Sequence, residues 1–218
     1  KVDDLRSSLT DDESIAYLDF YTGQVYCARA LAYSELIKCF CKAYDPATAE
    51  QELGVVLADT YFGEAPKTRA SLYDSYQFVL DDLKKAEELL DADNDWYNKA
   101  YFTNAAAHAI HARVALYMQD WDTAVRESSI LIDSDVFALA TARSYYSGDQ
   151  TYLDWLWTND SSFEVIWRIG FTETSIGGAL GSVFLNFNVD YTYYYPDYVP
   201  AQWVLDLYGQ GDMRYYAS

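Results

Sequence analysis

Residues 101–133 read YFTNAAAHAIHARVALYMQDWDTAVRESSILID, and this stretch decides the fold. A helix is predicted from Thr103 to about Met118, because a threonine hydroxyl can cap the free amides of a first helical turn. A tight turn follows, and a second helix is predicted from Trp121 or Asp122 to the end of the stretch. Small side chains would let the two helices approach closely; they are Ala105, Ala106, Ala107, Ala109, Ala112 and Ala115.

The turn is so short that the two helices must be antiparallel neighbours. The pair is about 33 residues long, and its second helix opens on an aromatic-x-x-Ala pattern at Trp121–Ala124. Length and layout match one tetratricopeptide helix pair. One clear copy is weak support for a solenoid by itself. The prediction is a mainly α fold, a tetratricopeptide-like helical-pair scaffold with long loops and little β-structure.

Two further helices are predicted upstream of this pair. Thr10–Glu13 (TDDE) forms a capping box that opens a helix to about Phe40, and Ser71–Asp74 (SLYD) opens another. The connection between them, about 42–70, contains a strand-like piece at Gly54–Leu57. The buried stripe predicted for the first helix consists of Ile15, Leu18, Tyr21, Val25, Ala28, Ala32 and Leu36. That of the second consists of Leu72, Tyr76, Val79, Leu83, Ala86 and Leu90.

The chain changes character after about residue 135. Glu164–Phe171 (EVIWRIGF) predicts a strand, and a short helix is predicted at about 200–208. Between them, residues 190–200 (DYTYYYPDYVP) predict a loop, because proline lacks the backbone donor that a helix interior requires. We interpret 1–218 as a single domain, with a helical scaffold over about 10–135 and a loop-rich segment over about 136–218.

Composition limits the classes of ligand. The chain carries 34 acidic and 15 basic side chains, a formal charge of −19, which repels nucleic-acid phosphates and anionic lipid headgroups. No apolar run reaches the roughly 18 residues typical of a membrane span. Twenty-two tyrosines and six tryptophans exceed the obvious needs of the core. A neutral or cationic ligand that contacts aromatic rings is therefore favoured.

No pattern in the sequence points to catalysis. There is no phosphate-binding glycine loop and no nucleophile elbow. Asp11–Glu13, Asp81–Asp82 and Glu87–Glu88 fall on helix starts or predicted solvent faces, so we interpret them as solvated surface. His108 and His111 could face one metal, but they are the only histidines and no carboxylate stands at the usual companion spacing. We expect no enzyme activity, no metal and no cofactor. The remaining candidate ligands, Cys27, Cys39 and Cys41, are interpreted as free thiols.

Clustered aromatic residues in predicted loops are the candidate binding residues. Sugar rings present C–H faces that stack on aromatic side chains, so such rings fit an oligosaccharide. The alternative, that these rings anchor the loops to the helical base, stays open. The leading candidates are Tyr193, Tyr194, Tyr195 and Trp203, followed by Trp96, Trp155 and Trp157.

Six segments in order resemble the SusD/RagB family. Gly23–Phe40 is similar to its G-E-A-x-F-x-R-A-L-x-Y-F helix, with Arg29 and Ala30 in place, and Gly54–Leu57 (GVVL) to its G-V-P-L strand. The other four segments, each similar to one family motif, are 69–90 (with Tyr76, Asp82, Leu83 and Ala86 matching), 105–139, 162–169 and 200–214.

The resemblance implies a surface-exposed outer-membrane lipoprotein that captures glycans or other nutrients. It also implies delivery to a SusC-like TonB-dependent transporter. The alternative function is a tetratricopeptide-type scaffold for protein–protein interaction. Relative to the family, we expect the chain to lack the N-terminal lipobox segment, which would carry the lipid anchor, and a C-terminal portion. Ligand contacts vary among members, so no binding residue carries over from the resemblance.

Overall fold

A computed structural model describes residues 2–58, 68–90, 99–141, 145–158, 162–172, 174, 185–187, 194–196, 198–209 and 211–212. The described residues form two compact units: 1–139 with 160–168, and 140–159 with 169–218. We call them the helical base and the C-terminal unit. Within the described ranges, no helix combines the length and the hydropathy needed to cross a bilayer. The single-domain interpretation stays a prediction.

The described part of the helical base contains five helices. They are α1 (Val2–Ser8), α2 (Asp12–Phe40), α3 (Leu72–Leu89), α4 (Asn104–Tyr117) and α5 (Trp121–Asp133). Consecutive helices from α2 to α5 pack on one another. The mainly α fold of helical pairs predicted from the sequence is confirmed.

Side-chain caps set the starts of these helices. Ser71 accepts from the Asp74 amide at 2.9 Å, and Thr103 accepts from the Ala106 amide at 3.2 Å, both as predicted. At α2 the prediction was wrong by one residue: the cap is Asp11, which accepts from the Ser14 amide at 2.7 Å. A carboxylate there also interacts favourably with the positive end of the helix dipole, an advantage that the Thr10 hydroxyl lacks.

The predicted buried stripe of α3 is confirmed, but that of α2 is wrong. Tyr21 and Val25 are exposed, whereas α2 buries small residues: Gly23, Cys27, Ala30 and Ser34, together with Ile37. The reason is close packing of α3 on α2. A Cβ on Gly23 would lie 2.7 Å from Leu90 Cγ, so only glycine permits this separation. Residue size, rather than hydropathy, selects the buried face of α2.

A buried ion pair joins α2 to α3. Arg29 donates to Asp82 through Nε at 2.6 Å and through Nη2 at 2.7 Å. The Asp82 side chain is buried, so the interpretation of Asp81–Asp82 as solvated surface was wrong for Asp82. The bidentate contact holds the carboxylate in the interior, where an unpaired charge would be costly. Both residues are among those that carry the family resemblance.

The two strand predictions, for residues 54–57 and 164–171, are both wrong. Residues 54–57 form no strand, although Gly54 donates to Ala70 O at 2.8 Å and an isolated bridge joins Leu53 to Ser71. Residues 164–171 also form no strand. The Arg168 amide donates to Lys99 O at 2.9 Å, a contact with the turn before α4 rather than with a neighbouring strand.

The C-terminal unit contains short elements. They are β1 (Tyr145–Ser147), β2 (Gln150–Thr151), α6 (Tyr152–Thr158), β3 (Leu185–Phe187), β4 (Tyr194–Pro196) and α7 (Gln202–Leu205). β1 pairs with β2, and β3 with β4, each antiparallel. β4 corrects part of the predicted tyrosine loop, since Tyr194 pairs with Phe187 and Tyr195 with Asn186. Pro196 ends the strand, a position where its missing donor is tolerated.

Candidate ligand-binding site

Two tryptophans of the C-terminal unit expose most of their surface. Trp203 lies on α7 and is 68% exposed, and Trp157 lies near the end of α6 and is 74% exposed. Trp155, also on α6, is half-buried. Tyr198, the tyrosine of the 190–200 segment with a described side chain, is 68% exposed. Trp157, Trp203 and Tyr198 thus expose most of their ring surface in the described part of this unit.

A reciprocal cap positions α6 and hence Trp157. The Thr151 hydroxyl donates to Asp154 Oδ2 at 2.6 Å, the Thr151 amide donates to the same oxygen at 2.9 Å, and the Asp154 amide donates back to Thr151 Oγ1 at 3.2 Å. The side-chain hydrogen bond from Thr151, followed by its amide, lowers the pKa of Asp154. The start of this seven-residue helix is thus fixed by hydrogen bonds between Thr151, which is buried, and Asp154.

The remaining candidates are not brought together by the described structure. Tyr193 and Trp96 lie outside the described residues, as does the neighbouring Tyr97. Tyr194 and Tyr195 are described only as backbone in β4. Of the seven residues, the structure therefore supports exposure for Trp157 and Trp203.

An acidic pocket in the helical base was missed by the sequence analysis. It has a volume of about 600 Å³ and is lined by Glu13, Ala16, Tyr17, Asp19, Phe20, Glu88 and Leu89. Arg6 forms an ion pair with Asp19. Aromatic edges beside carboxylate acceptors suit a neutral polyhydroxylated ligand or a cation, and would repel an anion. Tyr17 and Asp19 lie between members of the predicted stripe of α2 but are not part of it, which is why the pattern did not reveal them.

An apolar groove lies elsewhere on the helical base. Its volume is about 510 Å³, and its lining is Ser128, Leu131, Ile132, Phe137, Ala138, Leu139, Glu164 and Ile166. Leu139 is 78% exposed and Ile132 is 70% exposed. An exposed apolar surface of this kind favours contact with protein rather than with a polar ligand.

The two histidines form a buried cluster with carboxylates from other helices. His108 and His111 lie on α4, Glu87 on α3 and Glu127 on α5. The Nδ1 atom of His108 lies 2.7 Å from Glu127 Oε2, and that of His111 lies 2.8 Å from Glu87 Oε1. Both histidines are thus hydrogen-bonded to carboxylates. The interpretation of Glu87 as solvated surface was wrong, because its partner is a histidine 24 positions away in the chain.

Helical pairs in the base and exposed aromatic rings in the C-terminal unit define a mainly α protein of tetratricopeptide-like build. Residues 3–116 match the family model of SusD-like proteins, described as starch-binding and associating with the outer membrane. The chain belongs to the SusD-like family.

One relative is similar in sequence, and solved structures are similar in fold. A SusD-like protein of Formosa agariphila is 29% identical over 133 residues, 61% of this chain and 24% of that protein. A SusD superfamily structure from Bacteroides thetaiotaomicron has a TM-score of 0.66 at 17% identity, covering 80% of this chain and 36% of its own. The surface glycan-binding protein A of Bacteroides fluxus has a TM-score of 0.58 at 19% identity, covering 98% of this chain and 45% of its own. The chain thus spans about a quarter to under half the length of these relatives.

Proposed function

We propose that the chain is part of a glycan-binding protein that takes up neutral oligosaccharides without cleaving them. The observation that carries the proposal is the exposure of Trp157 and Trp203, at 74% and 68%. A sugar ring stacked on an indole face gains apolar contact, and its hydroxyls keep hydrogen bonds to acceptors nearby. Two comparisons support this class of ligand: the family is described as starch-binding, and the Bacteroides fluxus protein is named a surface glycan-binding protein.

The charge of the chain supports a neutral ligand over an anionic one. At a net charge of −19, an acidic oligosaccharide would be repelled at long range, and this repulsion would weaken with salt. A neutral oligosaccharide has no such term. We propose binding that is nearly independent of ionic strength.

Isothermal titration of the chain with a panel of neutral oligosaccharides tests the proposal. We expect saturable heat with at least one α- or β-linked glucan or related sugar, and an affinity that changes less than about twofold when salt is raised tenfold. No heat from any neutral sugar would contradict glycan binding. Release of reducing sugar during incubation would contradict the non-catalytic role.

We also propose surface exposure as an outer-membrane lipoprotein and delivery of the ligand to a SusC-like TonB-dependent transporter. This part rests on the family resemblance. The alternative, a scaffold for a protein partner, is favoured by the apolar groove around Leu139 and Ile132, and the partner we propose for that groove is the same transporter. If Leu139→Asp abolishes co-purification with the transporter but leaves glycan binding unchanged, the result would support both the glycan-binding role and the transporter contact. Co-purification unaffected by Leu139→Asp would contradict the groove as the contact.

A further inference from the structure

Three helices of the base bring four metal-binding side chains together. The Nδ1 atom of His111 lies 2.8 Å from Glu87 Oε1 and 3.8 Å from Glu127 Oε1. One donor atom from each of Glu87, His111 and Glu127 lies within 4.8 Å of the other two. His108 stands beside them, with its Nδ1 atom 2.7 Å from Glu127 Oε2 and 3.7 Å from Glu87 Oε1.

The distances between these ligand atoms fit a metal ion with tetrahedral coordination. Zinc binds histidine nitrogen and carboxylate oxygen at about 2.0–2.1 Å, which places neighbouring ligand atoms roughly 3.3 Å apart. The two distances from His111 Nδ1 to the carboxylates, 2.8 Å and 3.8 Å, lie on either side of that value. Side-chain shifts of about 0.5 Å would make both equal to it.

Burial and charge favour a dication at this point. The side chains of His111 and Glu127 are 4% and 5% exposed. The cluster holds two carboxylates, and among the described residues the cation that forms an ion pair with it is Arg126, whose Nη2 lies 2.9 Å from Glu127 Oε1. The Arg126 side chain is 59% exposed, so it compensates only part of the negative charge. Buried carboxylates in excess of cations are stabilised by a metal ion.

The carboxylate of Glu127 is oriented by two hydrogen-bonding partners: its Oε1 accepts from Arg126 Nε at 3.1 Å, and its Oε2 lies 2.7 Å from His108 Nδ1. His108 occupies the place of an outer hydrogen-bond partner that orients a ligating carboxylate.

We propose that Glu87, His111 and Glu127 bind one Zn²⁺ ion that links α3, α4 and α5, with His108 positioning Glu127. The three protein ligands leave one coordination position for water. The site lies in the helical base and is independent of the glycan proposal. It differs from the expectation drawn from the sequence, because both carboxylates come from helices other than that of the histidines.

Titration of the chelator-treated chain with Zn²⁺ tests the site. We expect one ion per chain with a Kd below about 1 µM, and a higher Tm in the presence of zinc. Ca²⁺ at the same concentration should neither compete nor raise Tm, because it prefers oxygen ligands. Displacement of zinc by Ca²⁺ would indicate general binding to an acidic surface and would overturn the proposal.

Variants separate the ligands from their neighbours. Glu87→Gln should weaken zinc binding by at least about a hundredfold and His108→Asn by about tenfold. Both side chains are partly exposed, at 17% and 14%, so these variants should still fold. The matched control is Glu88→Gln, which removes the same charge from the adjacent, exposed position and should leave zinc affinity unchanged. Equal losses in Glu87→Gln and Glu88→Gln would contradict the site.

Nitrogen-15 spectra of the imidazoles give a readout that does not depend on any variant. On addition of zinc, His111 should carry its proton on Nε2 and show a metal-bound Nδ1, whereas His108 should keep the Nδ1 proton that it donates to Glu127. Unchanged spectra for His111 at saturating zinc would overturn the assignment and leave the cluster as a set of hydrogen bonds between helices.

Discussion

The helical base and the C-terminal unit use their aromatic and apolar residues in opposite ways. In the base, α3 buries Leu72, Val79 and Leu83 completely. In the C-terminal unit, the described part of α7 buries no residue, and Leu207 just after it is 75% exposed. Packing therefore fixes the base, whereas hydrogen bonds and short strand pairs order the described parts of the C-terminal unit. A binding protein requires a rigid scaffold and exposed side chains that can contact a ligand; here the base has the packed core and the C-terminal unit has the exposed rings.

The largest effect should come from Gly54→Val in the base. A Cβ at this position would lie 2.0 Å from Ser75 Oγ and 2.2 Å from the Ser71 carbonyl oxygen. The backbone oxygen cannot move without breaking the pairing before α3, so we expect a loss of at least about 4 kcal/mol in the free energy of unfolding. Urea unfolding followed by circular dichroism measures it. The control is Gly209→Val, where a Cβ meets nothing within 4 Å, and equal losses would contradict the contrast.

A leucine pair tests the same contrast at intermediate size. Leu83→Ala should destabilise the chain by about 3 kcal/mol, because Leu83 is 0% exposed and truncation leaves a cavity. Leu207→Ala should change the free energy of unfolding by less than about 0.5 kcal/mol. Thermal and urea unfolding of both variants provide the comparison. A loss above 2 kcal/mol in Leu207→Ala would show that the C-terminal unit is packed more firmly than described.

The smallest effect concerns the cap of α5. Hydrogen bonds that the Thr123 hydroxyl and then the Thr123 amide donate to the Asp120 carboxylate lower the pKa of Asp120 below the ordinary 3.8. Because the pKa is lower in the folded state, the charged carboxylate stabilises the fold at pH values above the pKa of the unfolded state. This stabilisation is lost as the pH falls through the pKa of the folded state. Asp120→Asn should therefore cost about 0.5 kcal/mol at pH 7 and nothing near pH 2, as measured by urea unfolding at both pH values. An unchanged difference at low pH would exclude the charge as its source.

Local signals in the sequence were enough to predict most of the base. Caps at Ser71 and Thr103, the stripe of α3 and the turn before α5 depend on neighbours within one or two helical turns. The buried face of α2 could not be predicted in this way, because it is selected by the close approach of α3 at Gly23, which is a tertiary constraint. The general expectation of helical pairs survived this error because the period of a helix does not depend on which face is buried.

The candidate sites depended more on tertiary structure. Trp157 and Trp203 are exposed, but the loop predicted around Trp157 was wrong, because this residue lies on the helix α6. The cluster of His111 with Glu87 and Glu127 could not be read from spacing, since its members lie on three helices. The one available signal was the pair of histidines three residues apart on an alanine-rich helix, an unusual content for a face that packs on neighbours.

The most direct test of the account is a comparison of tryptophan variants in binding to the neutral oligosaccharide that titrates best with the unmodified chain. Trp157→Ala combined with Trp203→Ala should weaken binding at least about tenfold, the equivalent of about 1.4 kcal/mol, without changing the unfolding midpoint. Trp121→Ala, which removes a 58% exposed indole from the helical base, should leave the Kd unchanged. An unchanged Kd in the double variant, or an equal loss in Trp121→Ala, would contradict glycan binding by the exposed rings of the C-terminal unit.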